Sequence, residues 1–418
     1  MKRSISILIF LFPLEVYQIM LFGFNIRIYD IVTILLFSFM LFKIHKKNIK
    51  YDISILSISL IIFFGLLSSL LYSDNFFLTL KSFAAYSIIL LSAFIFINHF
   101  SNDYNNFIKI IILSSIITTI YVNFQFFSFV IYDYKVGVPF CNIIPCSDVV
   151  DDPSFGAYGY LGGLMRPTGF FTSMNRVGTY LIPACLLSLY LFINKNGIKY
   201  LFYFILFLES IIISLARNSI LSLFIGFIIY AISIKFCTKN KIYLAKFFLL
   251  IAALLILIAL NSDTEQLQHF NVFDIDRNSD ISNSSNFYQH LIAASTINLN
   301  HFGLGQGFQL YDEFVYVSGL VETYGAHNNF LTVFGESGIY ALFFYCLPLF
   351  YLLFLMIKSS FIEFPNKDVF IIFSVIYITL FISGMMRTYY LNAFSFLFFS
   401  YACYVFKMNT CKYYKIIN

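Results

Sequence analysis

Three arginines in the middle of the chain occupy positions that suit phosphate binding. Arg166 and Arg176 enclose a Pro- and Gly-containing segment that leads into an apolar run, and Arg217 lies between two apolar runs. A guanidinium group can hold a phosphate through two parallel hydrogen bonds, which a lysine ammonium does less well. We therefore interpret these arginines as anion ligands. The alternatives are contact of Arg166 and Arg176 with lipid headgroups and snorkelling of Arg217 toward a membrane surface.

His327 and Glu336 form a second chemically capable pattern. Histidine is the side chain best suited to general-base catalysis near neutral pH. Glu336 follows about two and a half helical turns later, so the two side chains share a face only if the helix is interrupted. Gly335 or Gly338 would permit that interruption. A purely structural histidine is the alternative interpretation.

The composition requires a membrane around these residues. Hydrophobic residues make up 60% of the 418 positions and charged residues only 11%, which excludes a water-soluble globular protein. An apolar run needs about 20 residues to cross the hydrocarbon core of a bilayer. Such runs predict spans near 4–22, 27–44, 53–72, 77–98, 107–131, 177–194, 199–216, 218–236, 243–261, 328–357, 369–386 and 390–407.

Lysine and arginine divide between the two sides of this predicted membrane protein. Nearly all lysines fall in one set of alternating connections. The other set carries six arginines: Arg27, Arg166, Arg176, Arg217, Arg277 and Arg387. Because cytoplasmic connections retain positive charge, we predict both termini in the cytoplasm and the arginine-rich connections in the periplasm. The net charge of +5 is then a signal of topology and does not indicate nucleic acid.

The spans divide the chain into five parts. These are transmembrane helices over 1–131, a first long periplasmic loop over 132–176, further helices over 177–261, a second long periplasmic loop over 262–327, and the last helices with a short tail over 328–418. Loops longer than about 15 residues are usually functional or disordered. The two long loops are therefore the candidates for a site.

Two other patterns in these loops could be functional, and each also has an interpretation without a function. Cys141 and Cys146 would suit a small disulfide in an oxidising periplasm, or remain two free thiols. Asp274 and Asp276 form an Asp-x-Asp triplet of the kind that holds a divalent cation and a nucleotide sugar. Nucleotide sugars are cytoplasmic, and Asp280 extends the run, so we favour a solvated acidic stretch.

Four motifs, taken in order and by topological side, resemble the bacterial O-antigen polymerase and O-antigen ligase superfamily. They are Arg-Pro-x-Gly-x-Phe-x-x-x-Asn at 166–175, Ser-x-x-Arg-x-Ser at 214–219, Gly-x-Gly-x-Gly at 303–307, and His-Asn-x-x-Leu-x-x-x-x-Glu-x-Gly at 327–338. The resemblance covers about 160–340 in detail and the remainder by span count. It implies an all-α polytopic membrane protein of about 12 transmembrane helices with a GT-C-like fold.

The resemblance also implies a chemistry, that of an inverting glycosyltransferase without metal or other cofactor. It would use undecaprenyl-diphosphate-linked glycans at the periplasmic face of the inner membrane, with a flippase and a chain-length regulator as pathway partners. The carried-over roles are as follows: diphosphate binding by Arg166, Arg176, Arg217 and Arg277, general-base catalysis by His327, orientation of that histidine by Glu336, and other substrate contacts by Asn175, Asn328, Gly305 and Gly307. Relatives place an arginine at the head of the helix that leads to the glycine-rich segment, where this chain has Ser284–His290. Either Arg277 serves in its place, or Arg166 and Arg176 compensate.

Two classes of function follow. As an enzyme, the protein would be a polymerase, which we favour from the 166–175 segment and its long preceding loop, or a ligase that transfers the glycan to lipid A core. As a transporter, it would be a lipid-linked oligosaccharide flippase. The outer-side cluster of His and Arg favours the enzyme, because alternating access usually requires binding groups near the midplane of both halves.

Overall fold

The structure, a computed structural model, describes most of the chain. The described residues are 2–14, 17–21, 24–44, 52–73, 76–99, 104–134, 136–137, 158–161, 164–171, 174–195, 197–214, 216–235, 278–308, 310–321, 328–385 and 393–417.

Helices dominate these residues. In chain order they are α1 Lys2–Leu11, α2 Ile28–Ile44, α3 Ile53–Tyr72, α4 Phe76–His99, α5 Tyr104–Tyr132, α6 Met174–Lys195, α7 Ile198–Ile213, α8 Arg217–Lys235, α9 Asn278–Asn300, α10 Tyr311–Val317, α11 Asn329–Ser360, α12 Lys367–Met385 and α13 Ala393–Ile417. Two antiparallel hairpins complete them, β1 Gln18–Leu21 with β2 Phe24–Arg27, and β3 Tyr158–Leu161 with β4 Leu164–Pro167.

The helices confirm an all-α polytopic membrane protein. Among the described residues, six helices are long and apolar enough to cross a bilayer, and three shorter apolar helices accompany them. Helices α2 to α8 and α11 to α13 lie on predicted spans. The predicted span at 243–261 lies outside the described residues.

The predicted span at 4–22 differs from the structure. Helix α1 ends at Leu11, and Gln18 already pairs with Arg27 in the first hairpin. Pro13 explains the early end, because proline has no backbone N–H to continue a helix. An apolar run alone does not distinguish a long helix from a short helix followed by a strand.

The second predicted loop also contains more structure than expected. Helix α9 occupies the middle of this segment, and α10 follows after the glycine-rich segment. A small apolar core of Ala293, Ala294 and Ile297 from α9 packs with Tyr311 and Val315 of α10. This segment is therefore a folded helical element.

The chain forms two compact units, each assembled from separate stretches. The first comprises Met1–Phe39, His99–Val272 and Pro365–Leu380. The second comprises Met40–Asn98, Phe273–Phe364 and Phe381–Asn418.

Contacts within the first unit join segments at each of its two ends. At one end, Gln125 Nε2 donates to the Val136 carbonyl at 3.3 Å, and Gln125 Oε1 accepts from the Gly169 N–H at 2.9 Å. Toward the last turns of α6, the Tyr190 hydroxyl donates to Asp368 at 2.8 Å. Segments predicted on one side of the membrane thus meet one another.

Candidate functional site

Strand β4, which carries Arg166, leads to the first turn of α6, which carries Arg176. Gly169 lies between them with a φ of 59°, in the left-handed region that favours glycine. Its N–H donates to Gln125 at 2.9 Å, and a Cβ there would lie 3.8 Å from the Val177 side chain. This turn holds two arginine-bearing backbone segments at the same end of the first unit.

The first turn of α8 packs against that same turn of α6. A Cβ on Gly178 would lie 2.6 Å from Ser219 Oγ and 2.9 Å from Ala216 Cβ, so the two helices approach closely. The Thr179 and Ser219 hydroxyl oxygens are 3.3 Å apart. Arg217 opens α8 between these contacts. The backbones of all three arginine-bearing segments therefore converge, while the side chains of Arg166 and Arg217 lie outside the described structure.

The electrostatics of this end favour a bound anion. Neither α6 nor α8 carries an acidic residue in its first turn. Instead Arg176 lies in the first turn of α6 and Arg217 opens α8. A cation at a helix N-terminus is unfavourable by about 0.3–1 kcal/mol, because the helix dipole already places positive charge there. Asn175, which is buried, lies in the same turn as Arg176. Two helix N-termini with arginines are a suitable site for a phosphate group.

In the second unit, helix α11 breaks two residues after Glu336. Gly338 has φ 87° and ψ −178°, a conformation available to glycine but not to other residues without strain. A Cβ on Gly338 would lie 2.8 Å from Leu304 Cα and 2.9 Å from the Gly305 nitrogen. The predicted interruption at Gly335 or Gly338 is thus present, and Gly338 provides it.

The glycine-rich segment 303–307 donates hydrogen bonds to backbone carbonyls of α11 just before the break at Gly338. The Gln306 N–H donates to the Gly335 carbonyl at 2.7 Å, and the Gly307 N–H donates to the Glu336 carbonyl at 2.8 Å. A regular helix would satisfy these carbonyls from the following turn. The close approach requires glycine, because a Cβ on Gly305 would overlap the carbonyls of Gly335 and Glu336.

Asn298 of α9 completes the hydrogen bonds around the break. Its Nδ2 donates to the Phe334 carbonyl and its Oδ1 accepts from the Ile339 N–H, at 2.8 and 3.0 Å. The Ile339 N–H also lies 3.0 Å from the Gly303 carbonyl oxygen. Sequence reasoning missed Asn298. Its position at the end of a helical run just before the glycines was the available signal.

Beneath the break, the buried Tyr311 packs its ring where a Cβ on Gly335 would lie. The Tyr311 hydroxyl donates to the His290 carbonyl at 2.7 Å. The broken helix thus rests on a buried, hydrogen-bonded tyrosine ring.

These contacts fix the position of Glu336. The residue is buried in the turn before the break, and its backbone is held by Gly307. A buried carboxylate within an apolar helix is costly, so it indicates a functional or charge-pairing role.

The other predicted ligands of the second unit have described contacts within the protein itself. Asn328 caps α11, where its Oδ1 accepts from the N–H groups of Phe330 and Leu331 at 2.8 and 3.3 Å. Gly305 and Gly307 support the broken helix as described above. Binding of substrate by these three residues stays a prediction.

Several sequence-predicted residues lie outside the described structure. They are His327, Arg277, Cys141, Cys146, Asp274 and Asp276. Their roles stay predictions. Among the described residues, the structure brings together the segments of Arg166, Arg176 and Arg217 in the first unit, and places Glu336 with Gly305 and Gly307 in the second.

Comparison with known families gives a match over the segments that carry much of this chemistry. No curated protein matches the chain. Residues 202–346 match the family model described as O-antigen ligase, and this range includes Arg217, the glycine-rich segment and Glu336. Members of that family are glycosyltransferase-like polymerases and ligases. The match over residues 202–346 therefore confirms the resemblance to the O-antigen polymerase and ligase superfamily for that part of the chain.

Proposed function

We propose that the protein is an O-antigen or capsular polysaccharide polymerase of the inner membrane. It joins a glycan carried on undecaprenyl diphosphate to a sugar hydroxyl of a second lipid-linked repeat unit. The observation that carries the proposal is the convergence of two helix N-termini with three arginine-bearing segments. The matched family supports the same reaction class.

The proposed reaction is an inverting transfer in one step. The acceptor hydroxyl oxygen attacks C1 of the donor sugar while the bond from C1 to the diphosphate oxygen breaks. His327 takes the hydroxyl proton, and Glu336 orients the imidazole. The electron pair of the broken bond leaves with the diphosphate.

Positive charge stabilises that leaving group. Arg217, with Arg166 and Arg176 and with Arg277 from the second long outer segment, neutralises the charge that grows on the diphosphate. The N–H groups at the starts of α6 and α8 add to this effect. Such groups supply the positive charge that a divalent cation supplies to phosphate oxygens in many other enzymes. We therefore expect transfer to proceed in the presence of a chelator.

A second candidate is an O-antigen ligase, which transfers the finished glycan to lipid A core. The description of the matched family favours it. Both candidates share the donor and the leaving group and differ only in the acceptor. In either case we propose that the site faces the periplasm, that both termini are cytoplasmic, and that a flippase and a chain-length regulator act beside it.

The gel ladder of lipopolysaccharide distinguishes these candidates. A strain that lacks the gene is complemented with wild type, His327→Ala or His301→Ala at matched expression. A polymerase predicts core plus one repeat unit in the deletion strain, no rescue by His327→Ala, and rescue by His301→Ala. Bare core with polymer on the lipid carrier identifies the ligase, and full rescue by His327→Ala contradicts the assigned base.

A further inference from the structure

Helix α9 is apolar on two opposite faces. One face packs Ala293 and Ile297 into the small core beneath it. The opposite face carries Tyr288, Ile292 and Leu299, whose side chains are 63%, 66% and 82% exposed. A helix that is apolar all round is normally covered on both sides. We call this second face, with Phe302 directly after the helix, the outward face of α9.

The outward face carries no charge. Residues 281–311 contain no Asp, Glu, Lys or Arg, although they were predicted to lie in an extramembrane loop. The hydroxyls of Ser295 and Thr296, on this side of α9, donate to the carbonyls of Leu291 and Ile292 at 2.7 and 2.9 Å. Hydroxyls bonded back to their own helix do not need water. The face is thus equipped for an apolar environment.

Contacts with α3 fix the depth of this segment. Helix α3 is a candidate span that ends at Tyr72, so Tyr72 marks a membrane surface. The His301 ring stacks on the Tyr72 ring with centroids 3.7 Å apart. The end of α9 therefore lies at the level of that surface.

The glycine-rich segment after α9 lies deeper still. The Phe308 N–H donates to Ser69 Oγ at 2.9 Å, and the Phe308 ring fills the space where a Cβ on Gly65 would lie. Gly65 precedes Tyr72 by about two helical turns, or about 10 Å along the helix. The chain thus re-enters the membrane directly after α9.

Phe302 adds an independent indication. It has a φ of 55°, in the left-handed region that non-glycine residues rarely adopt, and its side chain is 85% exposed. An aromatic ring at a bilayer surface is a common anchor.

We propose that the outward face of α9 lies in the bilayer, at the boundary of headgroups and acyl chains at the Tyr72 end of α3. Helix α9 is then a monotopic, membrane-embedded helix and not part of a water-exposed loop. This inference goes beyond the proposed function and does not depend on it. Lipid is the occupant because the depth is that of the membrane surface and because the face offers no charge to pair with a protein partner.

Tryptophan fluorescence tests this placement cleanly, because the chain contains no Trp. The single-Trp variants Ile292→Trp and Leu299→Trp are reconstituted in vesicles with or without lipids brominated on the acyl chains. Leu70→Trp, on an exposed position of α3 within the span, is the lipid-facing reference. Free N-acetyltryptophanamide with iodide is the reference for water.

The proposal predicts that both α9 variants are quenched by brominated lipid to about the extent of Leu70→Trp and are protected from iodide. Quenching by iodide as for the free compound, with no effect of brominated lipid, would place the face in water and overturn the proposal. Protection from both quenchers would show that protein, such as a second copy of the chain, covers the face. That result would also overturn the proposal.

Discussion

At the converging end of the first unit, two arginines occupy helix positions where acidic residues are usually favourable. Arg176 lies in the first turn of α6 and Arg217 opens α8. The helix dipole makes a cation unfavourable at each position, and a bound anion would offset that cost. An unfavourable arrangement of this kind is expected where function, rather than stability, determines the residue.

Replacement of Arg217 by lysine tests whether geometry matters beyond charge. Arg217→Lys keeps the positive charge but loses the planar fork that binds phosphate oxygens in pairs. We expect polymer formation to fall by about 10²-fold, the effect of removing one preorganised donor from a transition state. The measurement is the rate of polymer formation in membranes with matched protein levels.

Arg27→Lys is the matched control for that change. Arg27 is an exposed arginine to which no diphosphate role is assigned, and its backbone N–H donates to Asp30 at 2.9 Å. We expect it to leave polymer formation unchanged. An equal rate for Arg217→Lys and Arg27→Lys would show that Arg217 is not a diphosphate ligand.

At the scale of elements, the broken helix α11 and the glycine-rich segment depend on each other. Gly305 has an ordinary φ, so its role is purely steric. A methyl group in Gly305→Ala overlaps the backbone carbonyls of the turn that holds Glu336. We expect a loss of about 1–3 kcal/mol from overpacking, visible as a lower unfolding temperature in detergent.

Gly137→Ala is the control for this steric argument. Gly137 also lacks a positive φ, and a Cβ there meets nothing within 4 Å. Its unfolding temperature should equal that of wild type. If Gly305→Ala unfolds at the same temperature as Gly137→Ala, the result contradicts the close packing of Gly305 against the carbonyls of the break.

Asn298 provides a second test at this scale. Asn298→Ala removes the donor to the Phe334 carbonyl and leaves that group without its side-chain partner. An unsatisfied buried polar group costs about 1–3 kcal/mol. Asn194→Ala removes a comparable helix-bonded amide at an exposed position of α6, where water can replace it. The difference in unfolding temperature between the two variants measures how much the Asn298 hydrogen bonds at the break stabilise the protein. Equal unfolding temperatures would contradict a stabilising role for these hydrogen bonds.

Some helices and strands were predicted from the sequence, and others were not. Spans such as α3 and α5 were predicted because an apolar run of sufficient length has few alternatives in a bilayer. The break at Gly338 was predicted from the glycines beside Glu336. Helix α9 was implied only by the family resemblance and not by the residues themselves, because its polar first half hides the helical period of Ala293, Ala294 and Ile297. The hairpin β1–β2 was missed because its strands continue an apolar run.

At the scale of the whole molecule, each unit is built from three separate stretches of chain. Charge alternation predicts on which side a connection lies, but not which helices pack together, because many arrangements of apolar helices bury similar area. The sequence predicted which residue types form the candidate site. It did not predict all of the contacts that hold those residues in place. Asn298 acts through side-chain hydrogen bonds to the backbone of another helix, which leave little trace in a single sequence.

Reporter fusions test the predicted sidedness of the whole chain. Because lysine-rich connections remain in the cytoplasm, a periplasm-dependent phosphatase fused after residue 137 should be active. The same enzyme fused after residue 195 or 417 should be inactive, and a fluorescent protein that folds only in the cytoplasm should show the reverse pattern. Phosphatase activity of the fusion after residue 195 would contradict the predicted topology, because it would place that connection in the periplasm.

The most direct test of the central claim is glycan transfer by the purified protein. The protein is reconstituted in vesicles that contain undecaprenyl-diphosphate-linked repeat units as the only glycan, with EDTA present. The account predicts polymers of several repeat units and release of undecaprenyl diphosphate, with loss of both in Arg217→Lys and His327→Gln. No transfer until lipid A core is added would identify a ligase instead, and equal transfer by wild type and both variants would contradict the proposed site.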